Sequence, residues 1–156
     1  MVRSPSKPAK STIACAHAKD ARAQVAALPI RVGPAGYEVL LITSRETRRW
    51  IVPKGWPMKG RKDYSAAAQE ALEEAGIKGR IHKQPIGWYT YDKRLANAAE
   101  PCRVTVYRLD VENERMKWPE SGQRTRQWFS AREAAEHVSE PELASIILAL
   151  DQVEAA

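Results

Sequence analysis

Three glutamates lie close together in one predicted helix and could bind a divalent cation. Glu70, Glu73 and Glu74 fall within residues 63–77, whose sequence is DYSAAAQEALEEAGI. At about 100° per residue, they occupy a sector of roughly 100° on one side of the helix. Like charges at this spacing destabilise a helix by about 0.2–0.5 kcal/mol per pair, and a helix C-terminus disfavours negative charge. Hard cations such as Mg²⁺ or Mn²⁺ prefer carboxylate oxygens, so the pattern predicts a metal site; the alternative is a solvated acidic helix face.

A basic loop precedes the acidic helix and carries the opposite charge. Residues 43–62 contain seven basic residues against Glu46 alone, a local net charge of +6. The basic residues are Arg45, Arg48, Arg49, Lys54, Lys59, Arg61 and Lys62. A basic rim beside a carboxylate-bound metal is suited to binding a polyphosphate and acting on it. A second basic group, Arg124 and Arg126, is either a further phosphate contact or a pair of surface arginines on an edge strand.

Strand-like and helix-like segments surround these charged residues. Runs of apolar and β-branched residues predict strands over 28–32, 37–43, 50–52, 80–82, 86–91, 102–111 and 126–129. Pro and Gly residues predict an irregular loop over 53–62, and Asp63 can cap a helix that stops at Gly76. Apolar residues spaced by three and four between Leu143 and Leu150 predict an amphipathic C-terminal helix. Several strands combined with these helices predict one α/β or α+β domain with a mixed sheet.

Length and composition restrict the class of protein further. The 156 residues suit a single domain, which we place at residues 26–156. Residues 1–25 hold five basic residues against Asp20, which is +4 of the total charge of +6, and are predicted to form a basic, flexible tail rather than a nucleic-acid-binding segment. No run of about 18 apolar residues is present, so no membrane partner is expected. Cys15 and Cys102 fit neither a disulfide framework nor a zinc site, which favours a cytoplasmic location.

The segment from Gly55 to Ile77 resembles the signature of the Nudix hydrolase family. That signature is Gly, five residues, Glu, seven residues, then Arg-Glu-apolar-any-Glu-Glu-any-Gly-apolar. The residues that match it are Gly55, Glu70, Glu73, Glu74, Gly76 and Ile77. Residues 38–55 and 124–138 are similar to the diphosphoinositol polyphosphate and dinucleoside polyphosphate hydrolase branch of the family. The resemblance extends over residues 28–150.

Two positions depart from the family signature. Arg61 stands where the signature has its first Glu, and Gln69 stands where it has Arg. In the family this Arg orients the catalytic glutamates, so the resemblance implies that Gln69 does so through uncharged hydrogen bonds. The two changes are compatible with weaker catalysis, with a more anionic substrate, or with a descendant that only binds its ligand.

The resemblance implies an α/β/α sandwich and metal-dependent hydrolysis of a pyrophosphate bond in a small-molecule polyphosphate. The implied substrates include a diphosphoinositol polyphosphate, a dinucleoside polyphosphate or another nucleoside diphosphate derivative. Glu70 and Glu74 are the implied ligands of Mg²⁺ or Mn²⁺, with Glu73 as a further ligand or as the catalytic base. The implied substrate-binding residues are Arg45, Lys54, Gly55, Arg61, Arg124 and Arg126. The alternative is a non-catalytic module that binds a phosphate ligand or RNA.

Substrate specificity is expected to depend on segments outside the signature. Residues 92–101 and 112–123 are interpreted as loops of this kind. The sequence does not fix the substrate or the oligomeric state.

Overall fold

The computed structural model describes residues 21–155, in which eight strands and three helices are present. The strands are β1 (Arg22–Gly33), β2 (Gly36–Thr43), β3 (Trp50–Ile51), β4 (Lys54–Gly55), β5 (Ile77–Ile81), β6 (Gly87–Arg94), β7 (Ala99–Glu114) and β8 (Arg126–Ser130). The helices are α1 (Asp63–Ala75), α2 (Ala131–His137) and α3 (Pro141–Ala155).

The strands form one mixed sheet around β1 and β7. The main path of the sheet runs β3-β2-β1-β7-β5, while β4 pairs with β1, β6 with β7 and β8 with β2. Strands β1 and β7 pair in parallel, and every other pairing is antiparallel. The short strand β4 pairs with the first half of β1, with Gly55 opposite Val25. This pairing brings the segment that enters α1 onto the sheet.

Helices cover both faces of the sheet because side chains alternate along each strand. On one face, α1 packs on a buried cluster that includes Val25, Ala27, Leu40 and Ile42. On the other face, α2 and α3 pack on a cluster that includes Ala26, Leu28, Val39 and Leu41. The mixed sheet with helices on both faces confirms the predicted fold class.

Helix α1 approaches the sheet closely because its buried residues are small. Its fully buried apolar residues are Ala66, Ala67, Ala71 and Ala75. The helix ends at Gly76, which adopts a left-handed conformation with φ of 68°, as predicted. The prediction that Asp63 is the N-cap was wrong by one residue: Lys62 is the N-cap, and Asp63 lies in the first turn, where the helix dipole favours a negative charge.

The predicted start of β1 and the predicted loop at residues 92–101 differ from the structure. Strand β1 begins at Arg22 rather than at residue 28, because pairing with β7 extends it from Arg22 onwards. The rest of the predicted tail, residues 1–20, lies outside the described residues. Residues 92–101 form mostly strand, since β6 and β7 join through a short turn in which the Leu95 amide donates to the Ala98 carbonyl at 2.8 Å.

In the part of the chain that the structure describes, no helix is both long and apolar enough to span a membrane.

Candidate active site

Glu70 and Glu74 face each other at the junction between helix α1 and strand β4. Glu70 lies directly over Gly55, where any side chain would overlap its carboxyl group. Glu74 is only 7% exposed, which excludes the alternative of a fully solvated acidic face. Its Oε1 accepts a hydrogen bond from the Lys54 amide at 3.2 Å. The pairing of β4 with β1 therefore fixes the floor of a site beneath the two carboxyl groups.

Burial and mutual repulsion make both carboxyl groups hard to ionise. Burial raises the pKa of Glu70 from 4.5 to about 8, and the neighbouring carboxyl group of Glu74 adds to the shift. Burial also raises the pKa of Glu74, although the Arg124 guanidinium and the Lys54 amide oppose this. The two carboxyl groups also share a hydrogen bond. Such a pair requires either a proton or a cation between its members.

The pair fits a hard divalent cation such as Mg²⁺ or Mn²⁺. Both groups present oxygen atoms, which these ions prefer, and a cation would offset the repulsion between them. Within residues 21–155, no group of three or more His, Cys, Asp or Glu side chains is placed to hold a metal. Further oxygen atoms would therefore come from the backbone, from water or from the phosphates of a ligand.

Glu73 lies outside this pair. Its Oε2 accepts a hydrogen bond from the Gln69 side-chain amide at 2.7 Å, one turn earlier on the helix. Gln69 in turn accepts a weak hydrogen bond from the exposed Arg61 guanidinium at 3.4 Å. The two residues that depart from the family signature thus contact each other, and one of them, Gln69, contacts Glu73. Arg61 lies in this chain of hydrogen bonds and not on the wall of the cleft described next.

A cleft of about 250 Å³ opens above the two glutamates and has basic walls. Four of the six predicted substrate-binding residues line it, namely Arg45, Lys54, Gly55 and Arg124. Burial lowers the pKa of Lys54 from 10.5 to about 8, against the opposing effect of the Glu74 carboxylate. The Lys54 Nζ also lies 5.0 Å from the centre of the Tyr91 ring. A cleft with carboxyl groups on its floor and cations on its walls can bind a cation and a phosphate chain together.

Arg124 connects the acidic floor of the cleft to the loop that carries Arg45. Its side chain is 8% exposed, its Nε donates to Glu120 at 2.7 Å, and its Nη2 lies 3.8 Å from Glu74. Its Nη1 donates to the Thr43 carbonyl at 3.2 Å. Three contacts within the protein therefore hold the Arg124 side chain where it lines the cleft.

The loop between β2 and β3 is held against the segment before β8. Arg48 adopts a φ of 57°, which is rare for a residue with a side chain. Its guanidinium donates to the Gln123 carbonyl at 3.2 Å and to the Thr125 hydroxyl at 3.1 Å. Arg45 donates to the Gln123 side chain at 3.4 Å. These contacts fix the direction in which Arg45 enters the cleft.

Arg126 lies away from the cleft, contrary to the role expected for it. Its Nη1 donates to the Ala75 carbonyl at 2.8 Å and its Nη2 to the Arg115 carbonyl at 2.7 Å. Its guanidinium also lies 4.0 Å from the centre of the Trp118 ring. Arg126 thus satisfies a carbonyl at the C-terminus of α1, which a cation stabilises. Its position supports the helix and does not support a phosphate contact.

Three further polar residues of the cleft were not predicted: Gln24, Tyr91 and Lys93. The Tyr91 hydroxyl donates to Gln24 at 2.7 Å, which holds the ring in place. Tyr91 and Lys93 alternate on strand β6, so a period of two in that segment was the available signal. That signal was lost because residues from 92 onwards were interpreted as a loop.

The raised pKa of Glu70 predicts how the stability of the cation-free protein depends on pH. The folded protein holds a proton on Glu70 between its ordinary pKa of 4.5 and about 8, whereas the unfolded chain does not. Folding stability should therefore fall as pH rises through this range. Thermal unfolding in EDTA from pH 5 to pH 8.5 should show a steeper fall for wild type than for Glu70→Gln.

Added Mg²⁺ or Mn²⁺ should reverse this effect and stabilise the wild type more at pH 8 than at pH 6, since metal binding requires deprotonated carboxylates. The control Glu46→Gln removes a charge from an exposed loop and should behave as wild type. Parallel curves for wild type and Glu70→Gln would contradict the placement of Glu70 in a repelling pair.

Comparison with known proteins identifies the family. A NUDIX domain model matches residues 21–150. Nudix hydrolase 16, mitochondrial, of Arabidopsis thaliana is 35% identical over 108 residues, which cover 67% of this chain and 59% of the relative. Diphosphoinositol polyphosphate phosphohydrolase 3-beta of Homo sapiens is 35% identical over 100 residues, covering 62% of this chain and 57% of the relative. The chain spans about half the length of several curated relatives that it matches.

A structural comparison agrees with this assignment. The crystal structure of a C. elegans Ap4A hydrolase binary complex superimposes with a TM-score of 0.63 at 20% identity, covering 86% of this chain and 98% of that chain. Identity this low shows a common fold and nothing more about the ligand. Because the family model matches nearly all of the described residues, and because the paired glutamates occupy positions of its signature, the chain belongs to the Nudix family.

Proposed function

We propose that this chain is a hydrolase that cleaves a pyrophosphate bond in a small-molecule polyphosphate and requires Mg²⁺ or Mn²⁺. The observation that carries the proposal is the pair of Glu70 and Glu74 at the floor of a cleft with basic walls. The acidic floor can bind a divalent cation, and the basic walls can bind a phosphate chain. Membership of the Nudix family and the names of the relatives support the same activity.

Different residues of the cleft would bind the cation and the phosphates. Glu70 and Glu74 would hold the cation, which supplies positive charge for the phosphoryl oxygens and favours deprotonation of water at neutral pH. Lys54, with a pKa of about 8, is mostly protonated at pH 7 and can bind a phosphate oxygen. Arg45 reaches the cleft from the loop between β2 and β3 and can bind an outer phosphate. Phosphoryl transfer depends mainly on such positioning and on charge stabilisation.

Glu73 is our proposed proton acceptor for the attacking water. It lies on the same helix as the metal-binding pair, and Gln69 holds one of its carboxylate oxygens at 2.7 Å. The other oxygen atom of the carboxylate is the one that would accept the proton. Gln69 would thus orient Glu73 with a neutral hydrogen bond, in agreement with what the family resemblance implies.

The second candidate is a non-catalytic module that binds a phosphate ligand or RNA. The observation that favours it is the separation of Glu73 from the cleft, together with the absence of a positive charge at Gln69. This candidate shares the basic cleft and differs only in the absence of turnover.

A panel of polyphosphates tests the proposal against this alternative. The panel contains diadenosine polyphosphates, diphosphoinositol polyphosphates, nucleotide sugars and ADP-ribose, each incubated with Mg²⁺, with Mn²⁺ or with EDTA. We expect release of phosphate or of a nucleoside monophosphate only when a cation is present, measured by product chromatography. Thermal stabilisation by a polyphosphate without any product would instead support the binding module.

We also propose that the protein acts in the cytoplasm on a small-molecule partner, with no role for a membrane or a nucleic acid. The low cysteine content supports a reducing compartment. Fractionation of cells that express the tagged chain tests the location, because a mitochondrial signal would contradict it.

A further inference from the structure

The last turn of helix α1 carries two of the three glutamates and is closed by hydrogen bonds from elsewhere in the chain. Carbonyl groups at the end of a helix have no partner within it. The carbonyls of Glu73, Glu74, Ala75 and Gly76 accept, in that order, from the Glu120 amide at 3.1 Å, the Trp118 Nε1 at 3.1 Å, the Arg126 Nη1 at 2.8 Å and the Arg115 amide at 2.8 Å. Three of the four donors belong to residues 115–120, between β7 and β8, which we call the capping segment.

Trp118 is the side chain that attaches the capping segment to the helix. Residues 112–117 are all exposed, whereas Trp118 is half-buried. Its ring lies against the backbone of Gly76, where a methyl group would come within 2.6 Å of a ring carbon. The Arg126 guanidinium lies 4.0 Å from the centre of the same ring. The indole therefore contacts the end of α1 both through its ring and through its N–H group.

Glu120 connects the capping segment to the glutamates in a second way. Its amide donates to the backbone of Glu73, and its carboxylate accepts from the Arg124 Nε at 2.7 Å. The Arg124 Nη2 in turn lies 3.8 Å from the carboxyl group of Glu74. Only one residue separates Trp118 from Glu120, so a displacement of Trp118 would reach both glutamates.

The capping segment does not line the space in which a substrate would bind. No residue from 115 to 123 lies on the wall of the cleft. The indole N–H of Trp118 is already bonded to the Glu74 carbonyl, and its ring contacts Gly76 and Arg126. Any effect of Trp118 on a reaction in the cleft must therefore pass through helix α1.

We propose that Trp118 is a positioning residue, which fixes the last turn of α1 so that Glu73 and Glu74 keep the geometry needed for hydrolysis. This inference rests on the proposed hydrolase function and adds a residue that acts through the helix rather than on the substrate. The negative potential at a helix C-terminus disfavours two carboxylates there, and the four donors offset that potential. Without Trp118 the last turn would open more often, as helix ends do when their partners are lost.

Two substitutions at Trp118 separate the role of the ring from that of its N–H group. Trp118→Phe keeps an aromatic ring against Gly76 but loses the donor to Glu74, and should lower kcat by about threefold to tenfold. Trp118→Ala loses both and should lower kcat by about a hundredfold, as a displacement of about 1 Å can do. The KM of the substrate should stay within about twofold in both variants, because the segment does not line the cleft. Mn²⁺ affinity, measured by calorimetry, should fall in the same order.

Trp88 provides a matched control. It also has an arginine over its ring, since the Arg103 guanidinium lies 4.3 Å from the ring centre. It is 48% exposed and pairs with Thr105 of β7, whereas the strand that follows α1 begins at Ile77, opposite Glu114 at the end of β7. Trp88→Phe and Trp88→Ala should therefore leave kcat, KM and Mn²⁺ affinity unchanged.

Amide hydrogen exchange tests the inference without any reaction, and so separates its failure from failure of the hydrolase proposal. In the cation-free protein, a peptide covering residues 70–77 should exchange about threefold to tenfold faster in Trp118→Phe than in wild type, and faster still in Trp118→Ala. Peptides from β1 should exchange as in wild type. This result supports the role of Trp118 even if wild type hydrolyses no substrate.

Three results would overturn the inference. They are wild-type exchange of residues 70–77 in the Trp118 variants, an unchanged kcat in those variants, and a loss of activity that appears only in KM. If Trp118→Ala does not fold, Trp118→Phe decides between these outcomes alone.

Discussion

Replacing Glu74 with glutamine should lower kcat by about a thousandfold with saturating Mg²⁺ or Mn²⁺. A bound cation contributes several kcal/mol of charge stabilisation to phosphoryl transfer, and about 4 kcal/mol corresponds to this factor. Glutamine keeps an oxygen atom that can accept the Lys54 amide but loses the charge that holds the cation. The measurement is kcat on the best substrate of the panel, together with Mn²⁺ affinity by calorimetry, which should fall as well.

The fold should survive this substitution. Glu74→Gln removes the repulsion with Glu70, so the cation-free variant should unfold at the same temperature as wild type or higher. The exposed carboxylate Glu136, changed to glutamine, provides a control that should retain full activity. Glu73→Gln should also lower kcat, by about 10²–10⁴-fold as expected for a general base, but should leave Mn²⁺ affinity close to wild type. Wild-type turnover in Glu74→Gln would show that the proposed centre is wrong.

Gly55→Ala should lower turnover by at least about a hundredfold, which corresponds to roughly 2.7 kcal/mol of lost transition-state stabilisation. A methyl group at this position would overlap the carboxyl group of Glu70 and push it off the floor of the cleft. Gly55 does not adopt a positive φ, so alanine imposes no backbone strain there. The loss should therefore appear in kcat and in Mn²⁺ affinity, while circular dichroism and the unfolding temperature report an intact fold.

Gly122→Ala is a matched control for this substitution. A methyl group at residue 122 would meet no atom within 4 Å, and this glycine also lacks a positive φ. We expect wild-type kcat and wild-type Mn²⁺ affinity. If Gly55→Ala behaved in the same way as Gly122→Ala, close packing of Glu70 over the strand would have no role in activity.

Local sequence patterns predicted most strands but not their ends. Apolar runs marked every strand except β4, which has two residues next to Pro53 and forms only because Gly55 pairs with Val25 of β1. The first residues of β1 have short apolar or polar side chains, so nothing local distinguished them from a tail. Their conformation depends on the parallel pairing with β7, some 80 residues away in sequence, and pairing at this distance leaves no periodic signal.

The candidate site was predicted in part, for geometric reasons. Positions 70 and 74 differ by about 40° around a helix, whereas position 73 lies about 60° to the other side of position 70. The helical period thus explains why two glutamates converge while Glu73 contacts Gln69. Arg126 shows the limit of assigning a role from sequence position, because a long side chain can reach a helix terminus as easily as a ligand. The sequence gives the charge of such a residue but not its direction.

The glutamates at the floor of the cleft and the turn joining β6 to β7 lie in separate parts of the structure, so the substrate specificity of this protein could change without its catalytic residues. The floor depends on close packing between helix α1 and strand β4, where a change in side-chain size would displace a glutamate. The turn near Leu95 is exposed, and Leu95 does not line the cleft. Insertions or substitutions in this turn could therefore change which substrates the protein prefers without moving the glutamates. New substrate specificities could then evolve through few mutations.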